Sequence, residues 1–234
     1  MTTIKRDDIL KTAQSMDTLW SPLTDEQRQL LADHIDIRHY KKHDIIFHEG
    51  DKPDHLYCLL KGRVKIYKLG VGGRQQIVHM PPLKGFFGYS DGFVADRYTT
   101  EAAAVEAVTL CAIPLSVIKH LILHNNTVAV FFIRQLANLL GFTAESMVSL
   151  TQKHLRGRLA DALLHLKEYY GTEDNGQTLA TSLIREDLAN LSNMTTSNAI
   201  RTLSAFADEG LISIEGRKIS IMDEPLLRQV SQIG

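Results

Sequence analysis

Cysteine is nearly absent: Cys58 and Cys111 are the only two in 234 residues. Two thiolates cannot hold an iron–sulfur cluster within one chain. Both sit in apolar, strand-like runs and read as reduced core residues of an intracellular protein. Charge of one sign is also missing. The 26 Lys/Arg balance 27 Asp/Glu to a formal net of −1, so there is no global basic footprint for nucleic acid. No unbroken apolar run approaches the ~18 residues of a membrane span. The opening MTTIKRDDIL has no apolar signal core, so no membrane partner and no secretion are expected, and a cytoplasmic location is.

Catalytic signatures are missing too. Gly70-Val71-Gly72-Gly73 is followed by no Gly-Lys-Ser/Thr, so it is a hairpin tip and not a phosphate loop. There is no Gly-x-Ser-x-Gly elbow, and no enzyme is expected. Ten histidines are present. His120 and His124 have the helical spacing of two zinc ligands, but no glutamate follows the first as a metalloprotease requires. With His39, His43 and His48 they read as surface residues, since a zinc site needs three or four converging ligands; no metal is expected.

What the chain does have is the stretch 184–212, IREDLANLSNMTTSNAIRTLSAFADEGLI. Leu188 and Leu191 give a short first helix an apolar edge, Asn193-Met194 breaks it, and Thr195 is placed to cap a second helix. Ile200, Leu203 and Phe206 recur at three-residue spacing and are expected to share that helix's buried face. Its leading end, Thr195, Thr196, Ser197, Asn198 and Arg201, carries groups that bond base edges and phosphates. Ile212 and Ile214, a turn at Glu215-Gly216, then Ile219 and Ile221 predict a hairpin wing. Arg185, Arg217 and Lys218 add positive charge around it. Against a DNA partner, residues 155–234 hold eight Lys/Arg and eleven Asp/Glu, and acidic charge weakens phosphate-driven binding. From these residues alone, DNA contact and protein contact are both open.

Upstream, Thr24 and Gln27 have capping-box spacing and predict a helix over 25–34. Glycine-punctuated runs of Ile, Val and Tyr over 37–113 predict a β sandwich or barrel. After Pro114 the spacing predicts a short helix over 115–123 and a long one over 127–153. In the latter, Ala129, Phe132, Leu136, Leu139, Thr143, Ser146 and Leu150 fall at heptad spacing and are expected to form a dimer seam. Gly157 is the expected hinge between that helix and the C-terminal part.

Three segments in this order carry a resemblance: EGDKPDHLYCLLKGRVKIY, FTAESMVSLTQKHLRGRLADALLHL, and the helix-turn-helix stretch itself. The chain resembles, over roughly residues 19–221, the Crp/Fnr family of bacterial transcription regulators. The resemblance implies an α+β fold. An N-terminal double-stranded β-helix (a β-roll of the cyclic-nucleotide-binding type) with flanking helices would occupy 1–126, a dimerisation helix 127–154, and a winged helix-turn-helix 155–234. It implies a homodimer on double-stranded DNA, RNA polymerase as a further partner, and a small effector in the β-roll. Some members sense gases through haem, for which the sequence offers no specific signal.

Departures from the family pattern bear on the effector. In cAMP-binding members a glutamate follows the glycine of the phosphate-binding cassette; here Tyr89 follows Gly88. The downstream Arg-Ser pair is replaced by Asp96-Arg97-Tyr98-Thr99-Thr100. Thr143 matches the threonine that reaches the adenine, but its neighbouring serine is Ala144. Gly88, Tyr89, Arg97, Tyr98, Thr99 and Thr143 are therefore the candidate pocket, with an effector other than cAMP or none. In the recognition helix Arg201 matches a family arginine, while Thr196 and Ser197 replace an arginine and a glutamate.

Overall fold

The computed structural model of the protein describes residues 6–181 and 183–233, so the reading of MTTIK as lacking a signal core lies outside the described residues. The chain divides into two compact units: Met1–Lys68 with His79–Leu140, and Leu69–Val78 with Gly141–Gly234.

In the first unit, α1 (Arg6–Ser15), α2 (Asp17–Trp20) and α3 (Asp25–Asp33) precede the β region. The capping box at Thr24 and Gln27 is formed in both directions, at 3.2 and 3.3 Å, and starts α3 as expected. The strands are β1 (Asp36–Tyr40), β2 (Ile45–Phe47), β3 (His55–Lys61), β4 (Val64–Leu69), β5 (Gln75–His79), β6 (Phe86–Phe87), β7 (Glu101–Ala104) and β8 (Val108–Pro114). A short α4 (Ser90–Val94) lies between β6 and β7. They form two four-stranded sheets, ordered β1-β8-β3-β6 and β2-β7-β4-β5.

Strands β3 and β8 are apolar at almost every position because both of their faces are covered. Tyr57, Leu59, Val108, Leu110 and Ala112 belong to one core, with Phe47, Val64, Ile66, Phe87 and Tyr98. The alternate residues Leu56, Cys58, Cys111 and Ile113 belong to the other, with Leu19 and Leu31 from the N-terminal helices. Two cores on opposite faces of one strand pair is the period-two consequence of the pleat. Cys58 and Cys111 are direct cross-strand partners, both free and fully buried, and burial pushes the Cys58 thiol up to about 12.

Helix α5 (Leu115–His124) follows, capped in turn by Asn125, whose Oδ1 accepts from Thr127 N at 3.0 Å as α6 (Asn126–Gln152) begins. At 27 residues α6 is ~40 Å long. Its mean hydropathy reaches 1.4 over 18 residues, so by length and composition it could cross a membrane. The expectation drawn from unbroken runs is a different measure and stands: Arg134, Gln135 and Asn138 interrupt the apolar residues without lowering the average enough.

The second unit contains the tip of the β4–β5 hairpin and the C-terminal elements. These are α7 (Leu155–Tyr170), α8 (Arg185–Leu191), α9 (Thr196–Asp208), β9 (Ile212–Glu215), β10 (Lys218–Ile221) and α10 (Glu224–Ile233). The break between α6 and α7 falls at Lys153-His154. Gly157, expected as the hinge, is instead buried inside α7. The helix runs through it without a bend.

Candidate nucleic-acid interface and effector region

Helices α8 and α9 are joined by the turn Ser192–Thr195. Ser192 Oγ donates back to Leu188 O at 2.5 Å, and Asn193 takes a left-handed conformation, φ 49°. Asparagine tolerates that region better than most side chains, which is why the chain reverses there. Thr195 Oγ1 accepts from Asn198 N at 3.2 Å and caps α9, as the sequence predicts. Ala199, Thr202, Leu203 and Phe206 are buried, while Thr196, Ser197, Ile200, Arg201 and Ser204 are exposed. Ile200 thus departs from its expected place: it is 48 % exposed. Six residues along a helix of ~100° per residue put Ile200 about 120° around from Phe206, off the buried stripe. Arg201 donates to Asn198 Oδ1 and stays on the exposed face.

The wing register pairs Glu215 with Lys218, so the turn is Gly216-Arg217, one residue later than expected. Gly216 has φ 59°, the positive value a two-residue hairpin loop requires. Arg217 is exposed at its tip. Arg185 does not project freely: its Nη2 donates to Gly216 O at 3.1 Å and tethers α8 to the wing. Burial disfavours its charged form and lowers its pKa. Lys218 is held by Glu173 at 2.8 Å, which raises the lysine pKa.

Several other carboxylates of this unit are paired in the same way. Glu209 is bound by Arg156, and Glu224 by Lys167 and Arg228. Asp161 is held by Lys153 Nζ at 2.8 and 2.9 Å, by Ser149 Oγ at 2.5 Å and by Ser231 Oγ. These contacts join α6, α7 and α10. The exposed stripe of α9 from Thr196 to Ser204 contains no carboxylate. One contact had no signal in the sequence: at the β4–β5 tip, Arg74 Nη2 donates to Asn193 Oδ1 at 3.0 Å. Gln76 Nε2 also reaches Leu191 O, at 3.5 Å.

Within the first unit the candidate effector residues Tyr89 and Tyr98 belong to different cores. Tyr98 is 3 % exposed; its ring stacks on Phe47 at 3.8 Å and its hydroxyl donates to Gly88 O at 3.2 Å. Tyr57 and Phe87 complete this aromatic group within the β-roll core. Tyr89 goes the other way, into the helical core, 5.4 Å from Phe132 and 5.7 Å from Phe93. Desolvation pushes its phenol up to about 12, so it stays neutral. Arg97 is exposed, with Nη1 on Gly50 O at 3.0 Å, and Thr99 bonds Asp91 through its N–H and hydroxyl. Gly88 has φ 78°, and a Cβ there would come within 2.7 Å of the Tyr57 ring, so only glycine fits. Thr143 is exposed on the part of α6 that belongs to the second unit. Among the described residues no three His, Cys, Asp or Glu converge as a metal site.

Helix α6 has two apolar stripes one residue apart. On the expected seam, Phe132 is 2 % exposed and lies in its own subunit's core, with Leu136 packed against it. Ala129, Leu139, Ser146 and Leu150 are half-buried. The neighbouring stripe Val130, Ile133, Ala137, Leu140, Ala144, Met147 and Thr151 is exposed at every position and repeats at three and four residues. Tyr89, Phe93 and Phe131 draw Phe132 inward, which rotates the free heptad stripe by one residue.

A β-roll, a long helix and a winged helix-turn-helix define a class of DNA-binding transcription regulator. Residues 37–125 match the cyclic nucleotide-binding domain, and residues 157–230 match the Crp-like helix-turn-helix domain. The chain belongs to the Crp/Fnr family of transcription regulators. It is 27 % identical over 183 residues to the CRP-like cAMP-activated global transcriptional regulator of Mycobacterium tuberculosis, covering 78 % of this chain and 82 % of that one. It is 27 % identical over 213 residues to electron transport regulator A of Shewanella oneidensis, covering 89 % and 85 %. The structure of FixK2 from Bradyrhizobium japonicum has the same fold, with a TM-score of 0.78 at 21 % identity over 84 % of this chain and 96 % of that one. The first two are named as regulators, one of transcription and one of electron transport.

Proposed function

We propose that the chain acts as a homodimer in the bacterial cytoplasm, placing α9 of each protomer in successive major grooves of a near-palindromic site. The observation that carries this reading is the split character of α9. Ala199, Leu203 and Phe206 hold one side in the core, and Thr196, Ser197 and Arg201 stand exposed behind a capped leading end. Ser197 and Arg201 face base edges and phosphates; Arg217 reaches the backbone from the wing; Arg185 and Lys218 position the wing through Gly216 and Glu173. RNA polymerase is the further partner.

The exposed stripe of α6 pairs with its copy in a second chain, which hides in a two-fold seam the apolar surface that would otherwise suit a membrane. The effector is not cAMP. A cyclic phosphate is a buried monoanion that needs a positive partner or several N–H donors. Here the Phe47–Tyr98 stack lies in the β-roll core, Arg97 is exposed and bonds Gly50 O, and Tyr89, which the family resemblance sets in place of a glutamate, packs in the helical core.

A gel shift with DNA fragments over a salt series, run beside sedimentation, tests the dimeric DNA reading. Retarded complexes and a dimer at micromolar concentration are expected; a monomer that shifts no DNA overturns it. Calorimetric titration with cAMP and cGMP tests the effector reading, and micromolar cAMP binding that raises DNA affinity would refute it.

A further inference from the structure

Four exposed side chains of α9, Ser197, Ile200, Arg201 and Ser204, recur at three, four and seven residues and so share one face. Three are polar and one is a branched hydrocarbon, 48 % exposed. A lone exposed isoleucine is ordinary on a protein surface. The helix itself does not call for it: alanine has the higher helix propensity, and the buried side is already filled by Ala199, Leu203 and Phe206. What sets Ile200 apart is its company. It lies one turn after Ser197 and directly before Arg201, on the face that meets the DNA.

The floor of the major groove offers hydrogen-bonding groups at every base pair and one apolar feature, the C5-methyl of thymine. A bulky aliphatic group pressed against the amino group of cytosine or adenine, or against guanine O6, would strip water and return no hydrogen bond. Against a thymine methyl it buries apolar surface on both sides. The preference therefore has an attractive part and a repulsive part, which is how a short contact becomes selective.

We infer that Ile200 reads a thymine methyl in the major groove and fixes a T·A pair within each half-site, beside the position contacted by Arg201. This rests on α9 being the recognition helix. Arg201, steadied by its bond to Asn198 Oδ1, supplies the polar contact next to it.

The test uses the full chain. A random duplex library is first selected for binding, and each thymine of the enriched site is then replaced by deoxyuridine, which removes only the methyl. For the wild type, one thymine per half-site is expected to be sensitive, with binding weakened roughly three- to tenfold per methyl. Ile200→Ala should bind more weakly at that site and lose the distinction between thymine and uracil. Ile200→Val, which keeps a branched methyl pair, should retain it. Neither change removes a core residue, so both variants should fold. If a site is enriched but uracil is neutral at every position, or if Ile200→Ala keeps the full sensitivity, the assignment to Ile200 is overturned while DNA binding stands. If no site is enriched, the recognition-helix reading falls with it.

Discussion

The guanidinium of Arg156 on α7 forks across the carboxylate of Glu209 at 2.8 and 2.6 Å, and lies 4.9 Å over the ring of Phe206. Glu209 is the C-cap residue of α9, so this one arginine fixes the far end of the recognition helix to its support. The contact holds the glutamate pKa below its ordinary value and the arginine's above. Both side chains are over 40 % exposed, which limits the bond to about 1 kcal/mol or less. Glu209→Gln should lower the Tm by at most about 2–4 °C at neutral pH. A depressed carboxylate contributes stability above its unfolded pKa and loses it as pH falls through the folded one. The gap between wild type and variant should therefore close in acid, below about pH 4. A gap that is the same at both pH values would show that the charge is not responsible.

Helix α6 allows a test of register. Leu140 is 71 % exposed and Phe132 is 2 % exposed, although both lie on heptad stripes. Leu140→Glu should leave a folded chain that sediments as a monomer, because it places like charges together at the two-fold axis. Phe132→Glu should instead unfold the first unit, since an unpaired carboxylate in a core costs several kcal/mol. Sedimentation and circular dichroism of the two variants separate the outcomes; a folded monomer from Phe132→Glu and an intact dimer from Leu140→Glu would return the seam to the inner stripe.

Arg201 is the polar reader in the proposed interface. Arg201→Ala should cost about 1–3 kcal/mol at a specific site if its partner is a base, and relax the preference there. Loss of affinity that is uniform over all sequences, with a salt slope shallower by about one, would assign the contact to a phosphate instead. Unchanged affinity and preference would remove Arg201 from the interface. The measurement is a competition gel shift against single-base variants.

His165 makes stability depend on pH in the direction opposite to most histidines. Its ring lies between Phe142 at 4.6 Å and Tyr169 at 4.2 Å. Burial lowers its pKa from the ordinary 6.5, against the opposing pull of Glu168, Glu145 and Asp161. Between the lowered folded value and the ordinary one the unfolded chain binds the proton and the folded chain does not, so stability falls as pH drops through that window. His165→Leu should flatten this part of the profile in urea unfolding measured from about pH 8 to 5. An unchanged slope would assign it to other groups.

The Thr195 cap, the helix pair it separates, and the two sheets with their turns were legible in the sequence, because capping, helical period and strand alternation are set by neighbours a few residues away. The acidic excess of residues 155–234 is a net charge that pairing leaves unchanged; what the sequence could not show is where the charges lie, since Arg156–Glu209 and Lys218–Glu173 join residues dozens of positions apart and the exposed stripe of α9 from Thr196 to Ser204 carries no carboxylate.

The sequence by itself determined the order of elements and the family, since three segments in a fixed order survive any detail of packing. Tertiary structure decided which side of each amphipathic helix is free. On α9 the buried sector ends before Ile200, and on α6 Tyr89, Phe93 and Phe131 claim Phe132 and leave Val130, Ile133 and Leu140 outside. It also sent Tyr89 and Tyr98, nine residues apart, into different cores. The reason is physical: a periodic pattern states that a helix has an apolar face, but two stripes one residue apart satisfy it equally, and only the side chains arriving from other segments of the chain determine which is covered.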